Sequence, residues 1–149
     1  CRVLGSDLST EATALAEKNA RHLGLQGRVE FRQGDMFGAF QSEEFLGKID
    51  VVTCNPPYIS SAKVGTMDAE ISRFEPRLAF DGGALGVTIL ARLIREAPKF
   101  LKPDSFLCFE VGLGQGNATA RMLKNAKEYH EVRTAVDCDG QVRALVART

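Results

Sequence analysis

Apolar positions along the chain switch repeatedly between a period of two and a period of three to four, which predicts strands interleaved with helices. The run Arg2-Val3-Leu4-Gly5-Ser6-Asp7 predicts a short strand ending in a carboxylate. Ser9 then stands where an N-cap is needed. Ala12, Leu15, Ala16, Ala20 and Leu23 follow at helical spacing, and Gly24 is placed to end that helix. Residues 28–32 alternate apolar and polar side chains and predict a second strand before Gly34-Asp35, after which Met36, Phe37 and Phe40 form a short apolar turn. Residues 49–54 are β-branched and nearly all apolar, the pattern of a strand covered on both faces, and they run into Asn55-Pro56-Pro57-Tyr58.

From Ile59 to Gly83 the periodicity is lost, and a long irregular loop inside a compact domain is usually functional. Ile89, Leu90, Leu93, Ile94 and Ala97 then mark a helix whose last turn Pro98 kinks or shortens. Phe106 to Val111 predicts another buried strand, Asn117 to Ala126 a helix, and 131–136 and 142–146 two strands around Asp137-Cys138-Asp139-Gly140. Alternation of this kind predicts an α/β fold with a doubly wound, mostly parallel sheet and an antiparallel C-terminal hairpin.

Length and composition narrow the picture without changing it. The 149 residues suit one domain, and 44% hydrophobic with 26% charged residues exclude disordered and collagen-like classes. Nineteen basic residues balance nineteen acidic ones, so there is no bulk attraction to nucleic acid or anionic lipid, and direct nucleic-acid binding is not expected. Cys1, Cys54, Cys108 and Cys138 are far apart, three of them in or beside apolar runs. They read as reduced, mostly buried thiols of a cytoplasm-like compartment, an organellar matrix being the other such setting. His22 and His130 show no ligand spacing, so no metal site is expected. No apolar run is long enough to span a membrane.

The strongest chemical signal is Asn55-Pro56-Pro57-Tyr58 at the carboxyl end of a buried strand, where open α/β sheets bind ligands. Two prolines fix the backbone and remove two amide donors, which frees carbonyl oxygens to face a pocket. The Asn55 side-chain oxygen beside such a carbonyl makes a pair of acceptors suited to a planar –NH2 group. Tyr58 can pack on the flat face of that group. The alternative is a rigid turn with no ligand.

Here the chain resembles the HemK-type protein-(glutamine-N5) methyltransferases of peptide-chain release factors. The resemblance runs through Asp7-Leu8-Ser9, Ala16-Glu17-Lys18-Asn19-Ala20, Gly34-Asp35, Asn55-Pro56-Pro57-Tyr58-Ile59, the block from Glu75 to Gly83, Gly86, Leu101-Lys102-Pro103, Phe109-Glu110-Val111-Gly112, Gln115-Gly116, Asp137, Gly140 and Arg143. It implies a Rossmann-like fold and S-adenosylmethionine as cofactor. It also implies methyl transfer to a glutamine side-chain amide in a protein, a release factor before others. By position, Asp7 matches the acidic residue that binds the cofactor ribose, the alternative being a helix N-terminal charge favoured by the dipole. Asp35 matches the residue facing the adenine amino group, or else caps a turn, with Met36 and Phe37 as apolar packing surface and Asn55 completing the cofactor side. Asn55, Pro56 and Tyr58 match the catalytic amide clamp, which Pro57 joins in holding substrate. Glu75 and Arg77 match a loop closing over the site, Arg77 either steadying it through an ion pair or standing as an exposed loop charge.

The family's Gly-rich cofactor motif follows the first strand of its fold, and this chain begins after that point. Residues 1–149 are therefore expected to be a partial methyltransferase domain lacking its first central strand, with unpaired edges at the strands of Val3 and Val51. Poor autonomous stability, or completion by a missing N-terminal segment or another chain, follows from that reading. The family also has Pro-Gly-Gly where this chain has Pro103-Asp104-Ser105. Three rivals stand beside the main reading. One is a base amino-methyltransferase, which would need a basic approach surface. Another is a fragment without activity of its own that serves as a binding module or one part of a split assembly. The third is a nucleotide site at Gly112-Leu113-Gly114-Gln115-Gly116 with Asp137 some way downstream.

Overall fold

The computed structural model describes residues 1–65 and 76–149, which divide into two compact units, Cys1–Phe45 and Leu46–Thr149. In the first unit, strand β1 (Val3–Asp7) leads to helix α1 (Thr10–His22), and strand β2 (Val29–Gln33) returns parallel to β1 with Val3 opposite Val29 and Asp7 opposite Gln33. Ser9 caps the helix as its position in the sequence requires, its hydroxyl oxygen accepting the Ala12 N–H at 3.0 Å. Gly24 takes a left-handed φ of 67° just past the helix end, a conformation open to glycine at little cost. A 3₁₀ turn over Met36–Phe40 closes the unit and buries Phe37 and Phe40 beside Phe45. The Arg32 guanidinium lies 5.6 Å from the Phe40 ring and 5.0 Å from the Phe45 ring, and the two rings meet edge to face.

The second unit begins with strand β3 (Ile49–Cys54), a short helix α2 (Ser61–Val64) and a 3₁₀ turn (Arg77–Ala79). Helix α3 (Thr88–Glu96) passes into a 3₁₀ turn at Ala97–Lys99, where Pro98 cannot continue the α-helical ladder. Strand β4 (Leu101–Glu110), helix α4 (Gly116–Asn125) and strands β5 (Glu131–Val136) and β6 (Val142–Arg148) complete it. The strand order is β3-β4-β6-β5, with β3 parallel to β4 and β6 antiparallel to both of its neighbours. Leu90, Leu93 and Ile94 of α3 and Leu123 of α4 are buried with Leu107, Phe109, Leu145 and Ala147 of the sheet. Each fully buried leucine contributes about 1.5–3 kcal/mol, so this layer is the main source of the unit's stability.

Several sequence expectations need correction. Strand β3 is not covered on both faces. The register sets Val51 beside Phe106, and these are 50% and 39% exposed, while Leu107 and Leu145 on the other face are fully buried. The apolar composition of β3 therefore exceeds what this unit itself buries. The cysteines are not mostly buried, because Cys1 and Cys138 are exposed and Cys54 and Cys108 half-buried, although all four are free thiols. Strand β4 starts five residues before Phe106, at Leu101, which puts Pro103 within the strand. Asp104 there adopts φ 63°, the left-handed region that glycine tolerates best, at the position where the resembled family has glycine. Its carboxylate pairs with Arg148 at 3.3 Å.

Candidate functional site

The Asn55–Tyr58 turn leaves the carboxyl end of β3 with Asn55 exposed, Pro56 buried, and Pro57 and Tyr58 half-buried. A residue before proline is biased to extended backbone, so the strand passes into the turn without a helical start. Beyond the turn, the Ile59 N–H donates to the Phe80 carbonyl at 2.9 Å and the Gly82 N–H donates to the Ile59 carbonyl at 2.8 Å. The long loop is thereby stitched back to the turn at its far end. A β-carbon on Gly82 would stand 2.6 Å from the Pro57 carbonyl oxygen, so this approach requires glycine.

Tyr58 is fixed at both ends. Its phenol donates to Glu110 Oε1 at 2.8 Å, and Arg143 Nη2 donates to the same oxygen at 3.0 Å. The hydrogen bond to the Glu110 carboxylate holds the Tyr58 pKa above the usual tyrosine range, so the phenol is a neutral donor. Its carbonyl accepts from Gln115 Nε2 at 2.9 Å, and Gln115 Oε1 accepts the Gly112 N–H at 2.9 Å. Glu110 ends β4, Gln115 immediately precedes α4, and Arg143 lies in β6, so the strand and helix ends of the four-stranded unit meet at this tyrosine.

Arg77 is both paired and exposed, Nε lying 3.1 Å from Asp81 Oδ2 with the side chain 66% exposed. Asp81 also accepts from the Ser61 hydroxyl at 2.6 Å and the Gly83 N–H at 3.0 Å. Those donors, the serine first, hold its carboxyl below the usual aspartate range. Glu75 lies outside the described residues. Cys54, next to Asn55, has its thiol pushed up to about 11 by burial, which makes it a poor nucleophile at neutral pH.

The remaining expected residues gather at the carboxyl end of the parallel pair in the first unit. Asp7 ends β1, exposed, with Oδ1 accepting the Ser9 N–H at 2.8 Å. Asp35, also exposed, and Met36 follow β2, and the Gly34 N–H donates to the Asp7 carbonyl at 2.8 Å. Met36 is held at φ 51°, a conformation that costs a residue with a β-carbon on the order of 1–2 kcal/mol, with its carbonyl accepting the Ser6 hydroxyl at 2.9 Å. Strain of this kind concentrates where a side chain must be aimed. Phe37, expected beside Met36 as apolar packing surface, is buried, with 8% of the residue exposed.

Sequence reasoning assigned no role to Glu110, Gln115 or Arg143. The available signal was a carboxylate ending the apolar run of β4, followed five residues later by a glutamine among glycines. Those glycines have local uses. A β-carbon on Gly112 would crowd Gln115 and Tyr58 at 2.9 Å, Gly116 packs against Val142, and Asp137 Oδ1 accepts the N–H groups of Asp139 and Gln141 in the hairpin turn. The contacts at Gly112, Gly116 and Asp137 are those of packing and of a hairpin turn. Among the described residues no cluster of ligating side chains could hold a metal.

Against known proteins, a family described as "Methyltransferase domain" matches residues 1–143. A release factor glutamine methyltransferase of Moorella thermoacetica is 35% identical over 98% of this chain and 50% of its own length. A ribosomal protein uL3 glutamine methyltransferase of Bordetella pertussis is 39% identical over 71% of this chain and 34% of its own length. The chain thus spans about half, or less, of the length of the curated relatives it matches. The crystal structure of a methyltransferase from Pyrococcus furiosus superposes with a TM-score of 0.64 at 17% identity, covering 99% of this chain and 62% of the other.

Proposed function

Since the chain belongs to the methyltransferase-domain family and has its Rossmann-like α/β fold, we propose that residues 1–149 are part of an S-adenosylmethionine-dependent domain that methylates a glutamine side-chain amide in a protein, a peptide-chain release factor before others. The observation that carries this reading is the Asn55–Tyr58 turn, which ends a strand at its carboxyl edge with its tyrosine tethered through both phenol and carbonyl. The names of the curated relatives at about a third identity support the same substrate class.

The residues present fit the cofactor. Asp7 and Asp35 are exposed carboxylates at the carboxyl ends of neighbouring parallel strands, where the fold class binds nucleotides. Asp7 uses one carboxylate oxygen to turn the chain at Ser9, and its other oxygen carries no partner among the described residues. It would accept from a ribose hydroxyl, while Asp35 would accept from the adenine amino group and Met36 would supply apolar contact. When bound, S-adenosylmethionine supplies an electrophilic methyl group.

On the substrate side, Asn55 Oδ1 and the Pro56 carbonyl accept the two hydrogens of the glutamine –NH2, and Tyr58 lies against the amide plane. The two acceptors orient the nitrogen, and alignment of this kind is the largest contribution that positioning makes to a bimolecular displacement. As the nitrogen gains positive charge, the same oxygens stabilise it, so the proton can leave after transfer and no side-chain base is needed beforehand. No helix among the described residues is long and apolar enough to cross a membrane.

The test is methyl transfer by the full-length protein to a release factor and, in parallel, to a ribosomal protein, with the modified residue located by mass spectrometry. A single methyl group on a glutamine is expected. Asn55→Ala should abolish it with cofactor affinity nearly unchanged, and Asp7→Ala should weaken cofactor binding. Turnover that survives Asn55→Ala would remove the clamp from the mechanism.

A further inference from the structure

The Asn55–Tyr58 turn cannot tie itself in place. Pro56 and Pro57 have no N–H, and beyond Tyr58 the Ile59 N–H is already committed to the Phe80 carbonyl. What fixes the turn is a set of side chains from distant segments. Gln115 Nε2 faces the carbonyl oxygens of Tyr58 at 2.9 Å, Gly86 at 3.2 Å and Leu85 at 3.4 Å, while its Oε1 faces the Gly112 N–H at 2.9 Å. Only one orientation of this amide is compatible with that surround, because the reverse would set an oxygen against three carbonyls and an –NH2 against an N–H. At the other end, Glu110 Oε1 receives both the Tyr58 phenol and Arg143. The proline φ angles are fixed and Asn55 and Pro56, each before a proline, are biased to extended backbone, so a displacement of Tyr58 is passed back to Pro56 and Asn55.

We propose that Gln115 and the Glu110–Arg143 pair are positioning residues for the substrate amide: by holding Tyr58 at its carbonyl and its phenol, they set where Asn55 Oδ1 and the Pro56 carbonyl point. This inference rests on the reading of the turn as the amide clamp. None of the three residues need touch substrate. Their contribution appears in the rate of the aligned step and not in the capture of either reactant, because misplacement of a reacting group by about 1 Å can cost up to a hundredfold in rate.

The experiment uses the full-length protein and separates kcat from KM and cofactor affinity. Gln115→Met keeps the side-chain length and removes all four hydrogen bonds. Gln115→Glu keeps the shape and sets an anion against three carbonyls. Glu110→Ala removes the phenol acceptor, and Glu110→Gln retains one. Gln115→Met and Glu110→Ala are expected to lower kcat by about tenfold to a hundredfold, with peptide KM and cofactor Kd within about threefold of the parent. Glu110→Gln is expected to restore most of the rate lost in Glu110→Ala, which a purely structural defect would not show. Thermal melts give the folded fraction to which kcat is normalised, and should Gln115→Glu fail to fold, the two neutral variants carry the test. Normalised kcat within twofold of the parent in Gln115→Met and Glu110→Ala, or a loss confined to KM or cofactor affinity, overturns the proposal. If that happens while Asn55→Ala is inactive, the positioning inference alone has failed; turnover preserved in Asn55→Ala takes the clamp reading down as well.

Discussion

Substituting alanine at Gly86 should be far more damaging than the same change at Gly140, and the difference measures how tightly the turn is packed. Both glycines are left-handed, with φ 71° and 73°. A β-carbon in that region costs on the order of 1 kcal/mol wherever it is placed. At Gly140 nothing lies within 4 Å of the added atom, so the backbone term is the whole effect. At Gly86 the added carbon would fall inside contact distance of the Tyr58 carbonyl oxygen and stand 2.6 Å from Gln115 Nε2. Relieving an overlap of that kind typically costs a further 1–3 kcal/mol or so, because the neighbours are backbone and a side chain already held by several hydrogen bonds. The expected losses are therefore about 1 kcal/mol for Gly140→Ala and about 2–4 kcal/mol for Gly86→Ala. Urea unfolding followed by circular dichroism measures both, with equal m-values as the check that only stability changed. If the two variants lose the same stability to within about 0.5 kcal/mol, the close approach at Gly86 is not a constraint and the packing argument around Tyr58 fails.

Three further outcomes follow from individual contacts. In a Tyr129→Phe background, the ultraviolet titration of Tyr58 should have its midpoint above the ordinary value of about 10, and Glu110→Gln should bring it down, because the Glu110 hydrogen bond is the first cause of the shift. The sign is that of a raised folded-state pKa: the stabilisation is fully present below about pH 10 and is lost as pH rises through the folded value, so a midpoint unmoved by Glu110→Gln would contradict the contact. Tyr129→Phe itself should cost about 1–2 kcal/mol in denaturant unfolding, since it removes the donor 2.9 Å from the buried Ile94 carbonyl, and a neutral result would mean that the carbonyl finds another donor. With a disulfide reagent at mildly alkaline pH, the exposed Cys1 and Cys138 should react first, and Cys54, pushed up to about 11, should lag; the reverse order would refute the burial assigned to it.

What the sequence made legible follows from which interactions are local. Ser9 as N-cap, Gly24 past the helix end and Pro98 at the α3 terminus act within a turn or two of their own position, and each stands where the pattern put it. The Asn-Pro-Pro-Tyr turn was equally visible, because its chemistry is written in consecutive residues. The exposed face of β3 was not, since apolar β-branched residues report what a strand is built to bury and not which neighbours this chain supplies. Phe37 makes a related point: an aromatic next to a strand end can turn to a ligand or to the core, and in the 3₁₀ turn over Met36–Phe40 it is buried. The tethers on Tyr58 were out of reach for a third reason. Gln115 and Glu110 lie 57 and 52 positions away, and no local period marks them as partners of a tyrosine.

That separation also bears on when the turn becomes usable. A ribosome releases Asn55–Tyr58 well before Glu110, Gln115 and Arg143, and at 5–20 residues per second Arg143 follows Tyr58 by about 4–17 s. Until Glu110 and Gln115 emerge the prolines are stiff, but neither the phenol nor the carbonyl of Tyr58 is held. Closing so long a loop is entropically tolerable, each doubling of its length adding only about 0.6 kcal/mol, so the delay is one of waiting for chain and not of climbing a barrier. A product truncated before β6 would still display the whole motif, yet it would lack the arginine that holds the Glu110 carboxylate against Tyr58. The motif easiest to read in the sequence is therefore among the last parts of its unit to take a working shape.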